Sequence, residues 1–184
     1  MVRIFVALEL PEKLRCEIAE TGTRLAVTNG RLSFVRPELM HITLKFVGEV
    51  SDKECAVICE ALSRIPPCSW TMRPGAISVN SRKHLRTVWV PVADDGEGAA
   101  LAQEIDDALG ACGIAREKRR FRAHITVARV RQDDEDLLPL IDGLTGCSFE
   151  PFAVSGFVLK KSTLTPHGPV YENLLEVRDE PVSL

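Results

Sequence analysis

Two of the four histidines in this sequence begin the same tripeptide, His-Ile-Thr, at His41 to Thr43 and again at His124 to Thr126. Along an extended strand residues i and i+2 point the same way, so each tripeptide presents an imidazole beside a hydroxyl. Two such pairs facing each other supply two proton-transfer groups and two hydroxyl donors around a small anion. Hydrolysis of a cyclic phosphodiester needs one base to activate water and one acid to protonate the leaving oxygen, and imidazole serves as either near neutral pH. The hydroxyls of Thr43 and Thr126 would hold non-bridging oxygens as charge develops. A lone His-x-Thr reads as an ordinary strand histidine next to a favoured strand residue. Two in equivalent settings favour catalysis. Neither motif has the carboxylate cluster of a hydrolytic metal site, and there is no Cys-x-x-Cys, so neither metal nor cofactor is expected.

The flanking segments must place these pairs. Residues 2–8 read as a strand, followed by a helix with Pro11 near its start and Leu14, Ile18 and Leu25 on one face. Residues 40–47 alternate as a half-buried strand, with His41, Thr43, Lys45 and Val47 on one side and Met40, Ile42, Leu44 and Phe46 on the other. Ser51-Asp52-Lys53-Glu54 is a capping-box pattern, and Cys55, Ile58, Cys59 and Leu62 give the helix behind it one buried face. A strand is expected over about 69–79. The order then repeats: a strand at 87–92, a helix with Leu101, Ile105, Ala108, Leu109 and Cys112 on one face, and a second motif strand at 123–130. A helix follows the acidic run Asp133 to Asp136, with Leu137, Leu138 and Ile141 as its apolar face, and strands are expected near 152–160 and 170–177.

The motifs lie nearly half the chain length apart, and their surroundings match. This duplication predicts an α+β fold, one bilobal domain over residues 1–184 with approximate halves 1–82 and 83–184. Two pseudo-symmetric lobes, each a mainly antiparallel sheet with helices outside, would face each other across an active-site cleft.

With 184 residues, 45% apolar and 27% charged, the chain has the composition of an ordinary globular protein. Its net charge of −3 excludes a polycation that binds nucleic acid through its overall charge, so any such contact needs a local basic surface. No apolar run approaches the roughly 18 residues of a membrane span, and no targeting segment is visible, so a cytoplasmic monomer is expected. The six cysteines read as free thiols acting as small hydrophobes.

With both motifs in place, the sequence resembles the two-histidine phosphoesterase superfamily, and within it the RNA 2′,3′-cyclic phosphodiesterases also called 2′-5′ RNA ligases. The resemblance covers essentially the whole chain. It rests on Arg3 to Leu8, His41 to Gly48, Phe121 to Val130 and the segment Lys161 to Tyr171. One departure is Ala123, where the family commonly has proline before the second histidine. The resemblance implies hydrolysis of a terminal 2′,3′-cyclic phosphate to a 2′-phosphate, with His41 as acid for the 3′ oxygen and His124 as base for water. The partner is then an RNA with a cyclic phosphate end, or a small cyclic nucleotide. A nucleotide- or RNA-binding module without turnover, and a related cyclic phosphodiesterase or 2′-5′ RNA ligase acting on tRNA-splicing products, remain as alternatives.

Supporting cations are graded by strand phase. Arg122 and Lys45 share the histidine faces and are candidate substrate contacts, while Arg129 is out of phase in a regular strand and is implied only by the resemblance. Phe46, off the histidine face, is expected in the core. The basic stretches 82–86 and 116–122 suit either an RNA strand or solvent.

Overall fold

A computed structural model describes residues 1–179. Its strands are β1 (Val2–Leu8), β2 (Arg31–Phe34), β3 (Ile42–Val50), β4 (Trp70–Pro74), β5 (Ser78–Val79), β6 (Thr87–Ala93), β7 (His124–Gln132), β8 (Phe152–Val154), β9 (Gly156–Thr165) and β10 (Gly168–Arg178). The α-helices are α1 (Glu12–Thr23), α2 (Asp52–Ser63), α3 (Glu97–Ala111) and α4 (Leu137–Asp142). The expected repeat of strand, helix, motif strand and helix is present twice, as β1-α1-β3-α2 and β6-α3-β7-α4. At the start of α2 both capping-box bonds form: the Ser51 hydroxyl accepts from the Glu54 amide, and the Glu54 carboxylate accepts from the Ser51 amide.

Two antiparallel sheets make the two lobes. One has the order β10-β9-β1-β3, the other β2-β7-β6-β4-β8 with β5 beside β6. Each sheet draws strands from both halves of the chain, because β9 and β10 join β1 and β3 while β2, β4 and β5 join β6 and β7. The chain crosses from one sheet to the other between β8 and β9, at Gly156. Its φ of +136° is one that side chains avoid, and a Cβ there would lie 1.9 Å from the Val177 carbonyl oxygen. No other residue fits that crossing.

The helices cover the sheet faces turned away from the motif hydroxyls. Gly22 of α1 lets the helix approach β7 so closely that an added Cβ would sit 2.6 Å from Val127. On the other lobe, α3 packs against β3. The apolar faces predicted for α1, α2 and α3 are buried at Leu14, Ile18, Ile58, Leu62, Leu101, Ile105 and Leu109. All six cysteines are free thiols. Among the described residues no helix is long and apolar enough to cross a membrane.

The edge strand β2 was not anticipated. Arg31-Leu32-Ser33-Phe34 is short and mostly exposed, so it carries little periodic signal. A tertiary contact places it: the Asp136 carboxylate accepts from the Thr28 hydroxyl and from the backbone and side-chain amides of Asn29. Asp136, from the acidic run before α4, grips the turn leading into β2 and leaves its own helix uncapped.

Candidate active site

The two motif strands share an irregularity that decides which side chains reach the cleft. Against β1, the register steps from Lys45 opposite Val6 to Thr43 opposite Ala7, leaving Leu44 as an extra residue. Against β6, it steps from Ala128 opposite Val88 to Thr126 opposite Trp89, leaving Val127 extra. A bulge of this kind reverses the alternation beyond it. Burial follows the same pattern in both strands: Leu44, Lys45, Val127 and Ala128 are buried, whereas Phe46 and Arg129 are exposed.

The bulge corrects two expectations. Lys45 does not face the cleft. It is 4% exposed and turned into the opposite side of β3, where its ammonium donates to the Asp106 carboxylate of α3 at 2.5 Å and to the Ala115 carbonyl at 2.7 Å. Phe46 is not in the core but on the cleft wall, 51% exposed, with the Arg3 guanidinium 5.0 Å from its ring centre. On β7 the same shift carries Arg129 onto the cleft side despite its sequence phase.

His41, Thr43, His124 and Thr126 line one cleft of about 650 Å³ between the two sheets, with residues from both lobes. In each motif the ring is oriented from two residues upstream. His41 Nδ1 donates to the Leu39 carbonyl at 2.7 Å, and His124 Nδ1 donates to the Arg122 carbonyl at 2.8 Å. With the proton held on Nδ1, Nε2 carries no proton and presents a lone pair in both rings. At His41 that nitrogen accepts from the Thr43 hydroxyl at 3.1 Å. Among the described residues the cleft lining includes Arg3, Arg36, Arg129 and Arg131 and neither aspartate nor glutamate. Among the described residues no group of histidine, cysteine, aspartate or glutamate is arranged to hold a metal ion.

Aromatic side chains that sequence phase did not flag fix the imidazoles. The His41 ring lies 4.9 Å from Phe5 and 5.5 Å edge-on from Tyr171, and the His124 ring lies 4.6 Å from Trp89. The Arg122 guanidinium lies over the Trp89 ring, 5.5 Å from its centre, and Arg122 does not line the cleft. Trp89 could have been found by pairing the second motif strand with its neighbour. Phe5 and Tyr171 depend on the order β10-β9-β1-β3, for which no local pattern exists.

The two histidines sit in unequal surroundings. Behind His41 is a second cavity of about 110 Å³, lined by Glu9, Arg15, Glu38 and Lys160 among others. Burial pushes the His41 pKa below its ordinary value; the Leu39 carbonyl opposes this, and the charges of Lys160 and His124 reinforce it. Lys160 is itself held by the Glu9 carboxylate at 2.8 Å and the Asn173 side-chain oxygen at 2.6 Å.

The basic stretches lie elsewhere. Arg82 makes a bidentate pair with Asp142, at 2.7 and 2.8 Å, and Arg116 pairs with Asp107. Neither stretch lines the cleft.

Comparison with known proteins adds to this geometry. A model of the family described as LigT like Phosphoesterase matches the chain twice in tandem, at residues 8–89 and 90–171. A protein of Archaeoglobus fulgidus named RNA 2′,3′-cyclic phosphodiesterase is 34% identical over 179 residues, covering 94% of this chain and 98% of its own. One of the same name from Thermotoga maritima is 30% identical over 185 residues, covering 97% and 96%. Among solved structures, TT0787 of Thermus thermophilus superposes with a TM-score of 0.80 at 25% identity, covering 96% of this chain and 97% of its own. The fold is also that of E. coli LigT crystallised with 3′-AMP, with a TM-score of 0.73 over 95% of this chain and 96% of that one.

Proposed function

Because the chain belongs to the LigT-like phosphoesterase family, we propose that it hydrolyses the 2′,3′-cyclic phosphate at an RNA end to a 2′-phosphate, without a metal ion. The observation that carries this reading is the pair of Nε2 atoms, each oriented by a local carbonyl and set in a cleft lined, among the described residues, by arginines and by no carboxylate. Carboxylates hold hydrolytic metal ions and repel phosphates, so their absence from the lining favours anion binding and direct acid–base catalysis.

In the proposed reaction His124 Nε2 takes a proton from water as the water oxygen attacks phosphorus. The bond from phosphorus to O3′ breaks, and O3′ receives the proton from His41 Nε2. The O2′ bond is retained, which yields the 2′-phosphate and a free 3′ hydroxyl. Proton exchange with solvent then restores both rings. Thr43 and Thr126 hydroxyls donate to non-bridging oxygens, and the Arg129 charge balances the one that builds there. In the free protein the Thr43 hydroxyl is occupied with His41 Nε2. Protonation of that nitrogen frees the hydroxyl for the phosphate. Phe46, facing the cleft beneath Arg3, offers the terminal base a ring to stack on.

The direct test is incubation of an RNA oligonucleotide ending in a 2′,3′-cyclic phosphate in EDTA, with the product isomer identified. Release of a 2′-phosphate at an undiminished rate is expected. Loss of activity in EDTA would remove the metal-free mechanism. A 3′-phosphate product would reverse the leaving group, and no turnover by folded protein would leave a binding module.

The division of roles has its own test through Lys160, which borders the cavity behind His41 but not the cleft. Its charge helps hold the His41 pKa below its ordinary value, and Lys160→Met should raise it. The protonated, acid-competent form of His41 is full below its pKa and lost as pH rises through it. If His41 is the acid, Lys160→Met therefore raises kcat/KM on the alkaline side of the profile. A fall on the acidic side instead would make His41 the base.

A further inference from the structure

The cleft holds more positive charge than one terminal phosphate requires. Arg129 is nearest the motif on β7, Arg131 lies two residues further out on the same wall, and Arg3 faces them from β1. Among the described residues none of the three has a carboxylate within ion-pair distance, on a chain whose net charge is −3. Like charges gathered without counter-charges call for an anion as extended as they are.

The strand geometry gives that anion a path. Two residues of an extended strand span at most about 6.8 Å, so Arg131 lies within reach of the phosphate after the one Arg129 meets. Arg131 is also the extra residue of a bulge against β2, between the pairs Leu32–Val130 and Arg31–Gln132, and so is released from strict alternation. On the neighbouring strand Phe34, paired with Ala128, lines the same outer cleft and is 39% exposed. Alternating guanidinium groups and exposed rings is the arrangement that binds single-stranded nucleic acid.

We infer that the RNA strand on the 5′ side of the cyclic end runs out of the cleft along β7, with Arg131 on its next phosphodiester and Phe34 against its next base. The protein thereby selects single-stranded oligonucleotide ends over cyclic mononucleotides. This rests on the cyclic phosphodiesterase reading for the position of the RNA end, but the strand path is tested by binding as well as by turnover.

The experiment compares wild type, Arg131→Ala and Arg131→Lys on two ligand sizes. Binding of a fluorescently labelled single-stranded RNA hexamer with a 2′-phosphate end is followed by anisotropy at several salt concentrations, against binding of 2′-AMP. In parallel, kcat/KM is measured on the cyclic-ended hexamer and on 2′,3′-cyclic AMP. Arg131→Ala should weaken hexamer binding and lower hexamer kcat/KM roughly five- to tenfold, the effect of one charge-assisted contact. It should also reduce the salt slope by about 0.7 and leave both mononucleotide values within about twofold. Arg131→Lys should recover most of the loss. Equal effects on both ligand sizes, or none on the hexamer, would overturn the inference. So would undiminished binding when the hexamer is annealed to a complement. Absence of turnover alone would sink the cyclic phosphodiesterase reading, while the binding comparison would still decide the strand path.

Discussion

His41→Ala and His124→Ala are each expected to lower kcat on a cyclic-phosphate RNA end by roughly a thousandfold or more, near the upper range for loss of a general acid or base. The effect should fall on kcat more than on KM, because neither ring is the main binding group in a cleft that also presents the Thr43 and Thr126 hydroxyls and Arg129. The double variant should be scarcely worse than either single one, since an acid and a base acting in one step fail as a unit. Single-turnover kinetics on wild type and the three variants, with thermal unfolding to confirm that each is folded, checks this. Substantial turnover by either single variant would mean that its ring transfers no proton. Losses that multiply in the double variant would mean that the two rings act in separate steps.

Lys45 should behave in the opposite way, as a residue of stability and not of catalysis. Its ammonium and the Asp106 carboxylate form a pair that is 4% and 7% exposed, tying β3 to α3. The Ala115 carbonyl and the Glu117 amide complete it, on the ammonium and the carboxylate respectively. Removing Lys45 leaves the Asp106 carboxylate in a poorly solvated place with only the Arg116 guanidinium, 3.8 Å away, as a counter-charge, so Lys45→Met is expected to cost about 3 kcal/mol in urea unfolding. Replacing both, as Lys45→Met with Asp106→Leu, should recover part of that, because a neutral pair carries no ion desolvation penalty but leaves the Ala115 carbonyl and the Glu117 amide without their partners. Below its unfolding transition, Lys45→Met should keep kcat/KM within about twofold of wild type. A stable Lys45→Met protein with a strongly reduced kcat/KM would return the lysine to the cleft.

The contrast between Lys45 and Phe46 shows where reading the chain by alternation stops. The sequence places Lys45 with His41 and Phe46 away from it, and this holds only while the strand is regular. One extra residue at Leu44 exchanges their faces, and Val127 does the same for Ala128 and Arg129. The signal for such a bulge lies in the register against the partner strand, not in the strand itself. Both motif strands carry the same bulge and the same burial pattern around it.

What the sequence determined by itself was therefore local and repeated. It carried the two His-Ile-Thr pairs with their shared faces, the capping box of α2, the apolar stripes of α1, α2 and α3, and the tandem order of elements. Each depends on residues within a few positions of one another, so side-chain spacing is enough to specify it. The tertiary structure decided what depends on partners distant in the chain. It set the interleaving of the halves into two sheets, the docking of β2 through Asp136, the packing of Phe5, Tyr171 and Trp89 around the imidazoles, and the gathering of Arg3, Arg129 and Arg131 at one cleft. Strand pairing brings together residues far apart in sequence, and composition and periodicity along the chain carry no record of which strand a given strand will meet.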